Sequence, residues 1–110
     1  DLGGHTPIEI AKRLHPTPAV AGLPQKQSIE FITNMEEIKG GYTRDLYSGY
    51  IGLIEEDKTQ LYVNLRCAQF LEKYAYLYVG GGYTKDSVSE SEWNETERKS
   101  ETLLKIFEML

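Results

Sequence analysis

The sequence predicts an α+β fold, with helices on either side of an antiparallel strand meander, and three observations predict it. Apolar residues recur at helical spacing near both ends of the chain. Between them the pattern turns to alternation, where Leu61, Val63 and Leu65 oppose Tyr62, Asn64 and Arg66. Short polar stretches, Glu55-Glu56-Asp57-Lys58 and Glu72-Lys73, separate the alternating runs and suit tight antiparallel turns.

Thr6-Pro7-Ile8-Glu9 reads as a helix start, with Thr6 as N-cap, Pro7 at the first helical position and Glu9 closing a capping box. Ile8, Ala11 and Leu14 continue it at helical spacing. His15-Pro16-Thr17-Pro18 ends it, because proline blocks continuation. A loop through Ala19-Val20-Ala21-Gly22-Leu23-Pro24 leads to a second helix from Gln25 to Asn34, with Ile29 and Ile32 inward. Lys39-Gly40-Gly41-Tyr42 is a turn. Leu46 to Ile54 is rich in strand formers, and its glycines imply close packing or a bulge. Gln60 to Phe70 gives the second strand, and Tyr74 to Val79 the third. The last helix is predicted from Val88 to Met109. Ser87 with Glu90, or Ser89 with Glu92, would cap it, and Trp93, Leu103, Leu104 and Phe107 would form its buried stripe.

A chain of 110 residues is enough for one domain of modest size. Its net charge is −5, and its 12 basic residues are scattered among 17 acidic ones, which argues against nucleic acid as the main partner. One cysteine excludes an intramolecular disulfide framework and a Cys-based zinc cluster, and fits a reducing, cytoplasmic setting. No apolar run approaches the ~18 residues of a membrane span, so no membrane partner is expected. The opening Asp1-Leu2-Gly3-Gly4-His5-Thr6-Pro7 has no initiating Met and enters a helix at once, as expected of a piece of a longer protein.

The chemistry concentrates near the C-terminus. Glu92, Glu95 and Lys99 stand at i, i+3 and i+7, so one helical face carries two carboxylates and an ammonium. Gly80-Gly81-Gly82, shortly before, brings bare backbone N–H groups close to whatever lies over that face. Together they suggest a site for an anion bridged by a hard cation. Mg²⁺ takes one or two carboxylates plus waters and substrate oxygens, which Glu92 and Glu95 would supply, while Lys99 would hold a substrate carboxylate. The same spacing also fits a solvated face whose exposed pairs contribute only ~0.3–0.5 kcal/mol. The glycines are no dinucleotide fingerprint, since G-x-G-x-x-G in a βαβ unit is missing. Arg66, late in its strand, would grip a carboxylate in bidentate fashion, or else face water from a sheet edge. Cys67 has no activating partner and reads as a small buried hydrophobe. His15 and His5 lack partners at catalytic spacing, and the tyrosines mostly serve packing.

Five blocks occur in order: His15-Pro16-Thr17-Pro18-Ala19-Val20-Ala21-Gly22-Leu23-Pro24, Tyr47-Ser48-Gly49-Tyr50-Ile51-Gly52, Leu65-Arg66-Cys67-Ala68, Leu77-Tyr78-Val79-Gly80-Gly81-Gly82-Tyr83 and Glu92-Trp93-Asn94-Glu95-Thr96-Glu97-Arg98-Lys99. From about Ile8 onward the chain closely resembles the C-terminal part of the chorismate-utilising enzymes. That family includes isochorismate synthase, salicylate synthase and the large subunits of anthranilate and aminodeoxychorismate synthase. The His-Pro-Thr-Pro-Ala block resembles the isochorismate synthases, whereas anthranilate-type members tend to carry a Pro-Ala-Gly-Thr version.

The resemblance implies that 1–110 is the C-terminal portion of a chorismate-binding domain, a fragment of a two-sheet α/β sandwich. It implies Mg²⁺-dependent conversion of chorismate to isochorismate, in which water adds at ring C2 and the C4 hydroxyl leaves, in menaquinone or siderophore biosynthesis. By position, Glu95 matches the glutamate that binds Mg²⁺, and Glu92 its neighbour, bound to the metal directly or one layer out. Lys99 matches the lysine near the metal-bound ring carboxylate, and Arg66 the arginine that holds the enolpyruvyl carboxylate. Tyr78 falls in the pocket beside that side chain, Gly80 and Gly81 match backbone near a substrate carboxylate, and Ala19 and Val20 line the proline-loop side. The family's general base, general acid and second metal glutamate belong to segments preceding Asp1. The piece is therefore expected to be inactive alone, to need the rest of its enzyme as partner, and to self-associate. Salicylate synthase and anthranilate-type enzymes are the neighbouring readings, and a non-catalytic α+β interaction module is the reading of another class.

Overall fold

The structure, a computed structural model, describes residues 2–110. They fall into two compact units, one reaching to Asn64 and the other spanning Leu65–Leu110.

The first unit opens with α1 (Pro7–Leu14), started as its sequence requires. Thr6 Oγ1 accepts from the Glu9 amide at 3.2 Å, and Glu9 Oε2 accepts from the Thr6 amide at 2.8 Å. The proline loop carries a helical turn that the sequence did not announce, α2 (Pro18–Ala21). Pro18 at its first position pre-sets the helical φ, and Gly22 at φ 106 ends it. Helix α3 (Gln25–Thr33) begins where expected but runs on as a π-helical segment, Asn34–Lys39. The Gly40-Gly41 turn then closes it, with Gly41 N–H donating to Glu37 O and Tyr42 N–H to Glu36 O.

Strand β1 (Tyr50–Ile54) pairs antiparallel with β2 (Thr59–Val63), setting Tyr50 opposite Val63 and Ile54 opposite Thr59. The strand starts later than predicted. Leu46 to Gly49 form turns instead, with Asp45 and Ser48 at positive φ (49° and 67°). Gly52 answers the close-packing expectation, because a Cβ there would run into the Gln60 carbonyl.

The three-strand meander is corrected in the structure to two separate hairpins. The predicted run from Gln60 to Phe70 breaks in the middle. Asn64 ends β2's pairing by bonding Ser48 and Gly49, and its side-chain amide donates to Leu46 O at 2.9 Å. Arg66 then adopts a left-handed backbone (φ 44), which a strand cannot pass through. In the second unit β3 (Cys67–Phe70) pairs antiparallel with β4 (Ala75–Tyr78), and α4 (Ser89–Glu108) follows. Neither predicted serine cap forms. Val88 is the N-cap residue, and Ser87 Oγ accepts from the Thr84 amide at 2.8 Å instead.

The stripe predicted for α4 is half right. Leu103 and Phe107 are half-buried, with Phe107 edge-on to Phe70 at 5.2 Å, but Trp93 and Leu104 are exposed. The half-buried face toward the N-terminus of α4 is polar: Glu92, Glu95, Thr96, Lys99 and Ser100. Among the described residues, only Ala21 and Tyr78 are buried apolar side chains and only Ser48 a buried polar one.

Candidate functional site

Helix α4 delivers Glu92, Glu95 and Lys99 on one face, as their spacing requires. The tripeptide after β4 meets that face. Lys99 Nζ donates to Gly80 O at 2.7 Å and contacts Glu95 Oε1 at 2.8 Å. Its side chain is only 20% exposed, whereas that of Glu95 is 46% exposed. Glu92 Oε2 lies over Gly81, 3.5 Å from where a Cβ would stand. Five of the predicted residues, Gly80, Gly81, Glu92, Glu95 and Lys99, thus come together within one unit.

The electrostatics follow from this geometry. The Lys99 hydrogen bond, and then its charge, hold the Glu95 carboxyl below the usual carboxylate range, with smaller help from Arg98 and Arg66. Glu95 is therefore poised as a carboxylate, the form a hard cation needs. Among the described residues no three His, Cys, Asp or Glu side chains gather to hold a metal, so Glu92 and Glu95 would supply only part of a shell. That donor set fits Mg²⁺, which completes its octahedron with waters and substrate oxygens. The Lys99 ammonium itself lies between a carboxylate and a carbonyl oxygen in this corner.

Arg66 is not a strand residue, as the sequence suggested, but the residue before β3, exposed and in left-handed conformation. Tyr78 is buried at the end of β4, and its hydroxyl donates to Gln69 Oε1 at 3.1 Å. Cys67 is half-buried and unbridged, in keeping with a packing role.

Ala19 and Val20 belong to the first unit, on α2, where Ala19 is exposed and Val20 half-buried. Val20 lines a concavity of about 260 Å³ with His15, Ile29, Arg44 and Ser48. Sequence reasoning missed the ion-pair network there. Arg44 Nε and Nη2 donate to the two Glu36 carboxylate oxygens, each at 2.7 Å, and Nη1 donates to Ser48 Oγ at 2.9 Å. Glu36 and Arg44 lie eight residues apart across a Gly-Gly turn, a separation that carries no periodic signal.

Comparison with known proteins matches residues 2–108 to the family described as "Chorismate binding enzyme". Isochorismate synthase EntC of Escherichia coli is 33% identical over 101 residues, covering 91% of this chain and 25% of that protein. Vibriobactin-specific isochorismate synthase of Vibrio cholerae is 33% identical over 98 residues, covering 88% of this chain and 24% of that protein. Anthranilate synthase component 1 of Aquifex aeolicus is 27% identical over 107 residues, covering 96% and 21%. The chain thus spans about a quarter of the length of the curated relatives it matches. No solved structure matches it significantly. Among the described residues no helix is long and apolar enough to cross a membrane.

Proposed function

We propose, from the premise that this chain belongs to the chorismate-binding enzyme family, that it is the C-terminal part of a Mg²⁺-dependent isochorismate synthase. The reaction leaves the net composition unchanged: a water gives up a proton and bonds to ring C2 of chorismate, the ring double bonds shift, and the C4–O bond breaks as the hydroxyl takes a proton and leaves as water. The single observation that carries the reading is the α4 face laid against Gly80 and Gly81, with Glu92, Glu95 and Lys99 converging on one corner.

Chorismate is a dianion, and an acidic chain needs specific cations to hold it. Mg²⁺, when bound, would neutralise the ring carboxylate and polarise it. Glu95 and Glu92 would hold the ion, and Lys99 would meet the ring carboxylate from the helix side. Arg66 would neutralise the enolpyruvyl carboxylate, in bidentate fashion. Tyr78 would wall the pocket beside that side chain, and Gly80 and Gly81 would present backbone to a carboxylate. The family resemblance assigns the general base and general acid to other segments, so on this reading acid and base catalysis falls to other parts of a longer enzyme. The product would serve menaquinone or siderophore biosynthesis, and the vibriobactin-specific relative illustrates the second.

The test is a product assay on the complete enzyme that contains this segment. It is incubated with chorismate with and without Mg²⁺, beside its Glu95→Gln variant, and products are separated by chromatography. Isochorismate that requires both Mg²⁺ and Glu95 is the expected result. The anthranilate synthase relative supports a second reading, which requires ammonia-dependent product. Salicylate with pyruvate would assign the neighbouring elimination activity. No turnover of any kind by the folded enzyme overturns the reading in favour of an interaction module.

A further inference from the structure

The geometry points to Lys99 as a resident counter-cation: its ammonium occupies the Glu95–Gly80 corner until a divalent ion displaces it. This rests on the reading above, and it adds a role for Lys99 before substrate arrives.

The contacts of Lys99 set it apart from an ordinary helix-surface pair. Such a pair leaves its ammonium in water, and a single exposed carboxylate is its partner. Here the ammonium is shared between Glu95 Oε1 at 2.8 Å and Gly80 O at 2.7 Å, on a side chain that is only 20% exposed. The Gly80 carbonyl belongs to a different element, so the lysine also ties α4 to the strand end. Both acceptors are hard oxygens, one carboxylate and one carbonyl, and both are classes of donor that Mg²⁺ takes.

A divalent ion on the Glu95 carboxylate and an ammonium hydrogen-bonded to the same carboxylate repel one another across one small corner. The two states are therefore alternatives, with Lys99 on Glu95 or the ion on Glu95. The apparent affinity for the ion is its intrinsic affinity reduced by the fraction of molecules in which Glu95 is free. Lys99 released by the ion becomes available to a substrate carboxylate, so one residue serves as a placeholder first and an anion contact later.

Two measurements on the complete, substrate-free enzyme test this, with Mn²⁺ as the probe ion. The first is Mn²⁺ binding by electron paramagnetic resonance in wild type, Lys99→Met and Glu95→Gln. Lys99→Met should tighten binding by about three- to tenfold, the size expected when a competing internal state is removed. Glu95→Gln should weaken it. The second is a pair of wild-type crystal structures, with and without Mn²⁺ located by anomalous scattering. Mn²⁺ beside Glu95 should leave Lys99 Nζ beyond about 3.5 Å from that carboxylate. Mn²⁺ on Glu95 with Lys99 still hydrogen-bonded to it overturns the displacement and leaves the metal site standing. Affinity unchanged or weakened in a folded Lys99→Met also overturns it. Mn²⁺ binding nowhere near Glu95, in wild type and Lys99→Met alike, overturns both this proposal and the metal role of α4.

Discussion

Arg66 joins a proposed carboxylate contact to an unusual backbone. Its φ of 44° lies where an L-residue crowds its own Cβ against the following carbonyl, a cost of about 1–2 kcal/mol that glycine escapes. Asparagine and glycine are the residues that sequence rules place there, so an arginine at this position gains nothing from its backbone. This yields a test that separates the two roles. Arg66→Gly and Arg66→Ala both remove the guanidinium, and both should raise KM for a dianionic substrate. Chemical denaturation should nonetheless find the glycine variant more stable than the alanine variant by about 1 kcal/mol. Equal stabilities, or alanine the more stable, would show that residue 66 does not hold the left-handed conformation. Lys99 is the opposite case, since its helical backbone is ordinary and its side chain carries everything of interest.

In the first unit the Glu36–Arg44–Ser48 network joins a π-helical segment to the turn that launches β1. The Arg44 side chain is less than one-third exposed, its guanidinium fork engages both carboxylate oxygens, and it also lies over the Tyr47 ring at 5.4 Å. Ser48 is itself buried at positive φ, and its amide donates to Asn64 O. Arg44→Ala should therefore lower the unfolding free energy by about 1–3 kcal/mol, the cost of leaving half-buried charged and polar partners unpaired. Thermal melts of Arg44→Ala beside Lys26→Ala, an exposed control, would read it. An Arg44→Ala variant that melts with the control would make the network ornamental. The same network shows what sequence can and cannot carry. The start of α1 was legible in full, because a capping box is written within four consecutive residues. The helical face of Glu92, Glu95 and Lys99 was legible because 3.6-residue periodicity fixes it locally. The break at Asn64 was not, because alternation continues through it, and what ends the strand is a set of bonds to residues 46–49. Trp93 misled for the same reason. Its apolar ring suggested an inward stripe, yet the inward half of α4 near its start is the polar one.

The molecule as a whole buries too little to account for its own apolar content. Leu23 and Leu46 are about four-fifths exposed, at 79% and 80%, and Ile51, Leu53, Tyr62, Phe70 and Trp93 are each more than 60% exposed. So many large apolar side chains left exposed within each unit are the kind of surface that interfaces use. Among the described residues both sheets are two-stranded, so each strand has an unpaired edge, and a lone hairpin is at best marginally stable in water. The chain spans about a quarter of the length of its curated relatives. The 110-residue segment produced alone is accordingly expected to self-associate at micromolar concentration and to bind a hydrophobic dye strongly. Sedimentation velocity across a concentration series reads the first, with sedimentation coefficients rising as the concentration is raised. On the reading proposed above, adding the rest of the enzyme as a separate polypeptide should suppress both signals, because a cognate covering surface competes with self-contact. A monodisperse monomer at every concentration, with a single cooperative melt and little dye binding, would mean that these apolar faces need no partner. The two units would then have to be reckoned a self-sufficient domain.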